Sequence, residues 1–317
     1  MEACHSPHQS NVTSYGATAL AIITLEAFAG VWINAFIVCV LGIGWVKKKT
    51  VNSNEKILLL LGCSRFCSLC FSWIDAFLSN LYPDCLRVHS ILQLLLGAYS
   101  FSNCSSLCVS ACLCGFYCVK IANFRNSLFN YLKVKIDKLV PWLLLGSVIF
   151  PLIIGILVYN AIDKAVSEKL NTTCQGRFWK ASIKIEEHFY RLYFVTGILF
   201  TASFMAVISS AVFLLFSLWR HKHKMQTNFM NSPSMEAHIR AMKSILSFFI
   251  MYSINFVSLI LTLIYAMKYQ KQVIIYLNLI QHAFPGVHSL ILIFSNPQLK
   301  KKLLRIPSCV KHIVCMR

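Results

Sequence analysis

Fourteen cysteines in 317 residues raise the question of thiol chemistry. Cys104, Cys108 and Cys112 recur every fourth residue, and Cys63, Cys67 and Cys70 form a second stripe, so each set can share one side of a helix. Such spacing can gather sulfur ligands around a metal. Ligation needs deprotonated sulfur, however, and both stripes lie in apolar segments where that charge is costly. No histidine cluster accompanies them, so the sequence predicts that these thiols pack as small buried apolar groups and that no metal is bound. Cys85 and Cys174 fall in connections, where a disulfide would depend on geometry that sequence does not supply. Cys309 and Cys315 are either lipidated or free. There is no nucleophile–base constellation and no phosphate-cradling glycine loop, so neither an enzyme nor a cofactor is expected.

Arg65 poses a sharper question. It sits near the middle of an apolar run, and a charge inside hydrocarbon is costly and usually functional. Asn34 and Ser289, on two other apolar runs, stand where they can face it. Two readings stay open: a polar network that switches between two helix packings, or a purely structural clamp.

The segments that must position these residues follow from composition. The chain is 57% hydrophobic and only 13% charged, with a mean hydropathy of +0.64. A soluble domain carries about 25% charged residues, so an ordinary water-soluble globule is excluded. The apolar residues fall in seven runs, Thr18–Gly44, Ile57–Asn80, Val88–Val119, Leu139–Tyr159, Phe189–Leu218, Ser244–Met267 and Val273–Ser295. Each is long enough to cross a bilayer as a helix, and none alternates as a barrel strand would. The expected fold is an all-α membrane protein, a seven-transmembrane-helix bundle spanning residues 18–295. Residues 1–17 precede it, and a tail with a short amphipathic segment occupies residues 296–317.

The net charge of +19 is informative through its location. Cations cluster at Lys47–Lys49, Lys120–Lys138, Arg220–Lys224 and Lys300–Arg305, all on one side of a seven-span weave. Positive loops stay cytosolic, which puts the N-terminus outside and the C-terminus in the cytoplasm. Basic clusters in separate short loops argue against nucleic acid and for the lipid bilayer as partner. The first 17 residues lack the pattern of a cleavable signal. Sequons at Asn11 and Asn171 both fall outside, where glycosylation occurs, whereas the one at Asn103 falls within the third span.

Several stretches then carry a resemblance. "LEAFAGVWINAFIV" in span 1, "LLLLGCSRF" in span 2, "FYCVKIANF" ending span 3, "LLFSLWRHKHKM" ending span 5, "HIRAMKSILSFFIMYSINF" in span 6 and "HSLILIFSNPQLKK" in span 7 come in order. Together they resemble the type 2 bitter taste receptors, seven-helix G-protein-coupled receptors of the plasma membrane. The chain departs from that pattern at Cys108, where a Trp is frequent, and near Ser203, where a Pro is usual. The resemblance implies bitter small-molecule agonists and a heterotrimeric G protein, with a gustducin-like α subunit and βγ. It implies ligand contact at Asn103, with Tyr99 on the same face. Asn80, Tyr252, Asn255, Asn278 and Gln281 complete an aromatic wall with amides in the outer half, unless those amides only join helices. It implies a coupling role for Tyr117, Lys120 and Phe124, with Lys120 extending towards lipid headgroups. It also implies a switch role for His288 with Ser289, the latter already placed opposite Arg65 and Asn34 in the polar network above. A pheromone-type chemosensory receptor would share the architecture. A small-molecule transporter would need repeats or paired intramembrane charges, which are not seen.

Overall fold

The structure, a computed structural model, describes residues 14–48, 52–82, 89–121, 127–174, parts of 197–219, 233–267 and 271–305. Its elements are α1 (Ser14–Lys48), α2 (Ser53–Leu81), α3 (His89–Ile121), α4 (Ser127–Cys174), α5 (Phe204–Ser217), α6 (Pro233–Met267), α7 (Lys271–Ser295) and a short α8 over residues 297–305. Among the described residues, five helices are long and apolar enough to cross a membrane, and α5 and the Phe249–Thr262 part of α6 are shorter apolar stretches. Helices α1–α7 fall on the seven runs read from hydropathy, α5 on the described part of the fifth.

Two helices overrun their predicted bounds. The expectation for α4 was Leu139–Tyr159, with a loop after Asn160, yet helix continues from Ser127 to Cys174. Helix α6 begins at Pro233 rather than near Ser244, with its proline in the first turn, where the missing N–H costs nothing. Hydropathy marks only the part of a helix that lies in lipid. Backbone hydrogen bonds continue into water where side chains support them, as where Lys135 Nζ meets Tyr131 Oη at 2.6 Å, one turn apart.

Helix α2 is the hub. It packs against α1, α3, α4 and α7, while α3 also meets α4 and α7 meets α1 and α6. Phe204 of α5 stacks on Phe256 of α6 with ring centroids 3.9 Å apart. Two close approaches depend on glycine. A Cβ on Gly286 would lie 3.2 Å from Gly30 Cα, and one on Gly155 would lie 3.0 Å from the Gly97 carbonyl oxygen. Small residues let α1 meet α7, and α3 meet α4, backbone to backbone. The core is built from Ile37, Leu58, Leu61, Val109, Leu113 and Ile293, while Trp32, Trp142 and Phe213 point outward. Outward-facing large apolar residues are solvated by acyl chains, so the bundle has an apolar exterior as well as an apolar interior.

Candidate functional site

Arg65 lies on α2 about 18 Å along the helix from Ser53, at 1.5 Å per residue. It is only 1% exposed. Its guanidinium is held by neutral groups from two other helices. Nη1 donates to Ser289 Oγ on α7 at 2.9 Å, and Nη2 donates to Ser110 Oγ on α3 at 3.2 Å. Nε points at Ser106 Oγ at 3.4 Å, and Nη2 also donates to His288 Nδ1. An imidazole that accepts at Nδ1 is neutral and carries its proton on Nε2. The Tyr252 hydroxyl of α6 lies within electrostatic reach of the same guanidinium. Ser289 Oγ in turn donates to Asn34 Oδ1 at 2.8 Å, and Asn34 Nδ2 donates to the Gly30 carbonyl at 2.8 Å. Helices α1, α2, α3, α6 and α7 thus meet at one buried cation. Among the described residues no carboxylate pairs with it.

This arrangement follows from what an arginine demands. Five N–H donors in a rigid fork need acceptors, and in lipid only neighbouring helices offer them. Hydroxyls and an imidazole satisfy the donors, but without a counter-ion they offset the loss of hydration only in part. The surrounding rings close the space: Tyr252 stands edge-on to Phe284 and His288 at 5.0 and 5.3 Å, and Phe284 stacks on His288 at 5.6 Å.

A second polar tier lies farther from the basic clusters. On α2, Ser72 is seven residues beyond Arg65, about 10 Å along the axis. Its hydroxyl is 2.9 Å from His282 Nδ1 of α7. Gln281 Nε2 donates to Thr262 Oγ1 of α6 at 2.8 Å, and Ser258 Oγ donates to the Leu277 carbonyl at 3.1 Å. Tyr99 of α3 lies within electrostatic reach of Asp75. Asn103, Asn255 and Asn278 are half-buried on α3, α6 and α7. Asn80 Nδ2 donates to the Ala76 carbonyl of its own helix at 2.7 Å. Tyr252, grouped by the sequence reading with these outer amides, stands instead in the Arg65 tier.

At the basic end, Tyr117 lies beside Asn54 of α2. Both line a cavity of about 420 Å³ together with Glu55, Asn296, Pro297 and Gln298. Asn296 caps α8, its Oδ1 accepting from the backbone N–H of Gln298 at 3.0 Å, with Pro297 in the first turn. Lys120, which the sequence reading lets extend towards headgroups, has a carboxylate neighbour. Its Nζ meets Asp137 Oδ2 of α4 at 2.9 Å and lies 5.4 Å from the Phe116 ring centroid. Phe124 and Asn11 lie outside the described residues, as does the side chain of Asn171 on the last turn of α4. Sequence reasoning missed Ser72, Ser106, Ser110 and His282. The serines at 102, 105, 106 and 110 repeat at helical spacing, which marked a polar face of α3.

Known proteins share this sequence pattern. Residues 12–311 match the family model described as Taste receptor protein (TAS2R). The chain belongs to that family. It is 32% identical over 307 residues to Taste receptor type 2 member 7 of Macaca mulatta, covering 94% of this chain and 95% of that protein. It is 32% identical over 311 residues to member 7 of Rattus norvegicus, covering 94% and 96%. Against Taste receptor type 2 member 9 of Homo sapiens it is 33% identical over 305 residues, covering 93% and 95%. Membership makes the chain a seven-transmembrane, multi-pass receptor of bitter taste in the plasma membrane. It is not an enzyme, and it signals through G proteins in response to small-molecule agonists.

Proposed function

We propose that this taste receptor detects bitter compounds in the tier of Asn103, Tyr99 and the α6–α7 amides, which the positive-inside rule puts at the outer end, and signals by repacking around Arg65. The observation that carries the reading is the meeting of five helices at one buried cation with no carboxylate partner among the described residues. A cation held only by neutral acceptors can exchange them as helices shift, because hydroxyls on adjacent turns are near-equivalent. Agonist binding about 10 Å further out favours one set of partners only if it prefers that packing, since a ligand moves an equilibrium by its differential affinity. His288 and Ser289 lie about two turns before the end of α7 at Ser295, between Arg65 and the Asn296 cap. The change therefore reaches the cavity beside Tyr117. There Tyr117, Lys120 and Phe124 form the coupling surface for a gustducin-like α subunit with its βγ partners. The amides at Asn80, Asn255, Asn278 and Gln281 tune agonist choice, and Asn11 and Asn171 carry glycans outside.

The test is an agonist panel on transfected cells with a G-protein-dependent calcium readout. Asn103→Ala should shift agonist potency by about tenfold or more at unchanged surface level, the size of one lost buried hydrogen bond to a ligand. Unchanged potency for every agonist would remove Asn103 from the site. Epitope tags at both termini check the weave, because they must report opposite sides of the membrane.

A further inference from the structure

A crevice of about 270 Å³ lies where the end of α1, the start of α2 and α8 converge. It is away from the agonist tier and backs onto the Tyr117 cavity, with which it shares Glu55 and Gln298. Its walls are of two kinds. Val40, Gly44 and Leu299 form an apolar slot along α1, and a Cβ added at Gly44 would meet nothing within 4 Å, so the slot is open there. Lys301, Lys302 and Arg305 of α8 form its rim. All three are exposed, and among the described residues none has a carboxylate partner. Lys302 Nζ reaches the Val40 carbonyl at 3.3 Å, so the cationic rim leans over the apolar slot. One carboxylate, Glu55, also borders the crevice, and it is engaged by the Asn52 backbone N–H at 3.3 Å. Trp45, next to Gly44, is 53% exposed, and an outward-facing Trp marks the level of lipid headgroups.

We propose that this crevice is a binding site for one anionic phospholipid, its acyl chain lying in the slot beside Gly44 and its phosphates on Lys301, Lys302 and Arg305. Three cations against one engaged carboxylate select an anion, and an apolar slot contiguous with them at headgroup depth selects one that carries a hydrocarbon tail. Basic pockets between helices on the cytoplasmic side suit phosphoinositide headgroups, whose clustered phosphates meet several cations together. The inference rests on the proposed orientation, with α8 facing the cytosolic leaflet, and not on the agonist site or the switch.

The experiment uses full-length receptor in detergent micelles, without agonist or G protein, titrated with dioctanoyl phosphatidylinositol 4,5-bisphosphate, dioctanoyl phosphatidylserine or free inositol 1,4,5-trisphosphate, and read by native mass spectrometry. One saturable lipid adduct is expected, with the bisphosphate lipid ahead of phosphatidylserine. The K301Q/K302Q/R305Q receptor should lose roughly fivefold in affinity for each cation removed. Gly44→Leu fills the slot without changing charge, so it should weaken both lipids and leave inositol trisphosphate unaffected. Equal lipid affinity in all three receptors overturns the proposal. A Gly44→Leu receptor that binds lipid as wild type does overturns the acyl slot and assigns the rim to soluble phosphates instead. If the triple variant does not fold, Gly44→Leu still decides. Because no agonist is present, loss of lipid binding is distinguishable from failure of the signalling scheme, and the terminal tags report the orientation separately.

Discussion

Arg65 and Lys120 are two cations in one bundle with opposite solutions. Arg65 is buried, held by hydroxyls and an imidazole from other helices with a phenol close by, and pairs with no carboxylate among the described residues. Lys120 is 43% exposed and has a carboxylate, Asp137, at 2.9 Å. Intuition would rank the ion pair above the neutral cage. The physics of solvation reverses that order. An exposed pair exchanges one set of water contacts for a screened attraction and contributes little. A buried guanidinium has no water to return to, so each neighbouring acceptor matters and losing one is costly. What Arg65 contributes is an obligation on five helices to arrive together, which makes it a point where their packing can be biased.

The strongest way to break this contrast is to remove the buried cation in two ways. Arg65→Ala leaves a cavity and strands the acceptors of Ser110, Ser289 and His288, so stability should fall by about 2–5 kcal/mol, measured as thermal unfolding of purified receptor. Arg65→Met refills the space with an apolar chain, and such replacements of buried charge are often neutral or stabilising. Arg65→Met should therefore hold near wild-type stability yet respond to no agonist. If Arg65→Met signals normally, the cage is a clamp and the switch reading fails. A destabilisation below about 1 kcal/mol for Arg65→Ala would mean that the cage does not hold the bundle.

The next effect lies one helix contact away. Asn34 reaches Ser289 only because α1 and α7 touch at Gly30 and Gly286. A Cβ at Gly286 would press on backbone at 3.2 Å, which has no flexible end to move aside. Gly286→Ala should cost about 1–3 kcal/mol of thermal stability by overpacking. It should also reduce agonist efficacy through the Asn34–Ser289 link. Gly44→Ala, at an open position of α1, should change neither. Equal stability of the two variants would show that the α1–α7 contact is looser than the geometry requires.

Much of this was legible in the chain. The apolar runs located the helices, because lipid leaves the backbone no other partner. Arg65 announced itself as a charge in hydrocarbon, and Asn34 and Ser289 were among the few polar groups on neighbouring runs able to answer it. What sequence withheld was vertical register. Period alone shows that Tyr252 and Asn255 lie on α6, but only the packing of α6 on α7 puts Tyr252 level with His288, below Gln281 and Thr262. The same lack hid the Ser72–His282 contact and the pairing of Lys120 with Asp137, each of which joins two helices whose relative height no periodicity records. Helix α4 was underestimated for a different reason: its ends are helical in water, where hydropathy carries no signal.

The smallest effect sharpens the comparison from the other side. The Lys120–Asp137 pair joins α3 to α4 beside the proposed coupling surface, so its disruption tests whether position or energy matters there. A double-mutant cycle with Lys120→Ala and Asp137→Ala should give a coupling of only about 0.2–1 kcal/mol in thermal stability. That coupling should shrink as salt is raised from about 0.05 to 0.5 M, because the Debye length contracts across the pair's open side. The corresponding change for Ser289→Ala should be insensitive to salt, since its partners are sealed from ions. If the Lys120 pair proved as strong as the Arg65 cage and as indifferent to salt, the pair would be functionally buried, and solvation would not be what separates the two cations. If instead the stability term is small while agonist-driven calcium signalling falls in both single variants, then the pair acts by holding the end of α3 at the height the G protein meets.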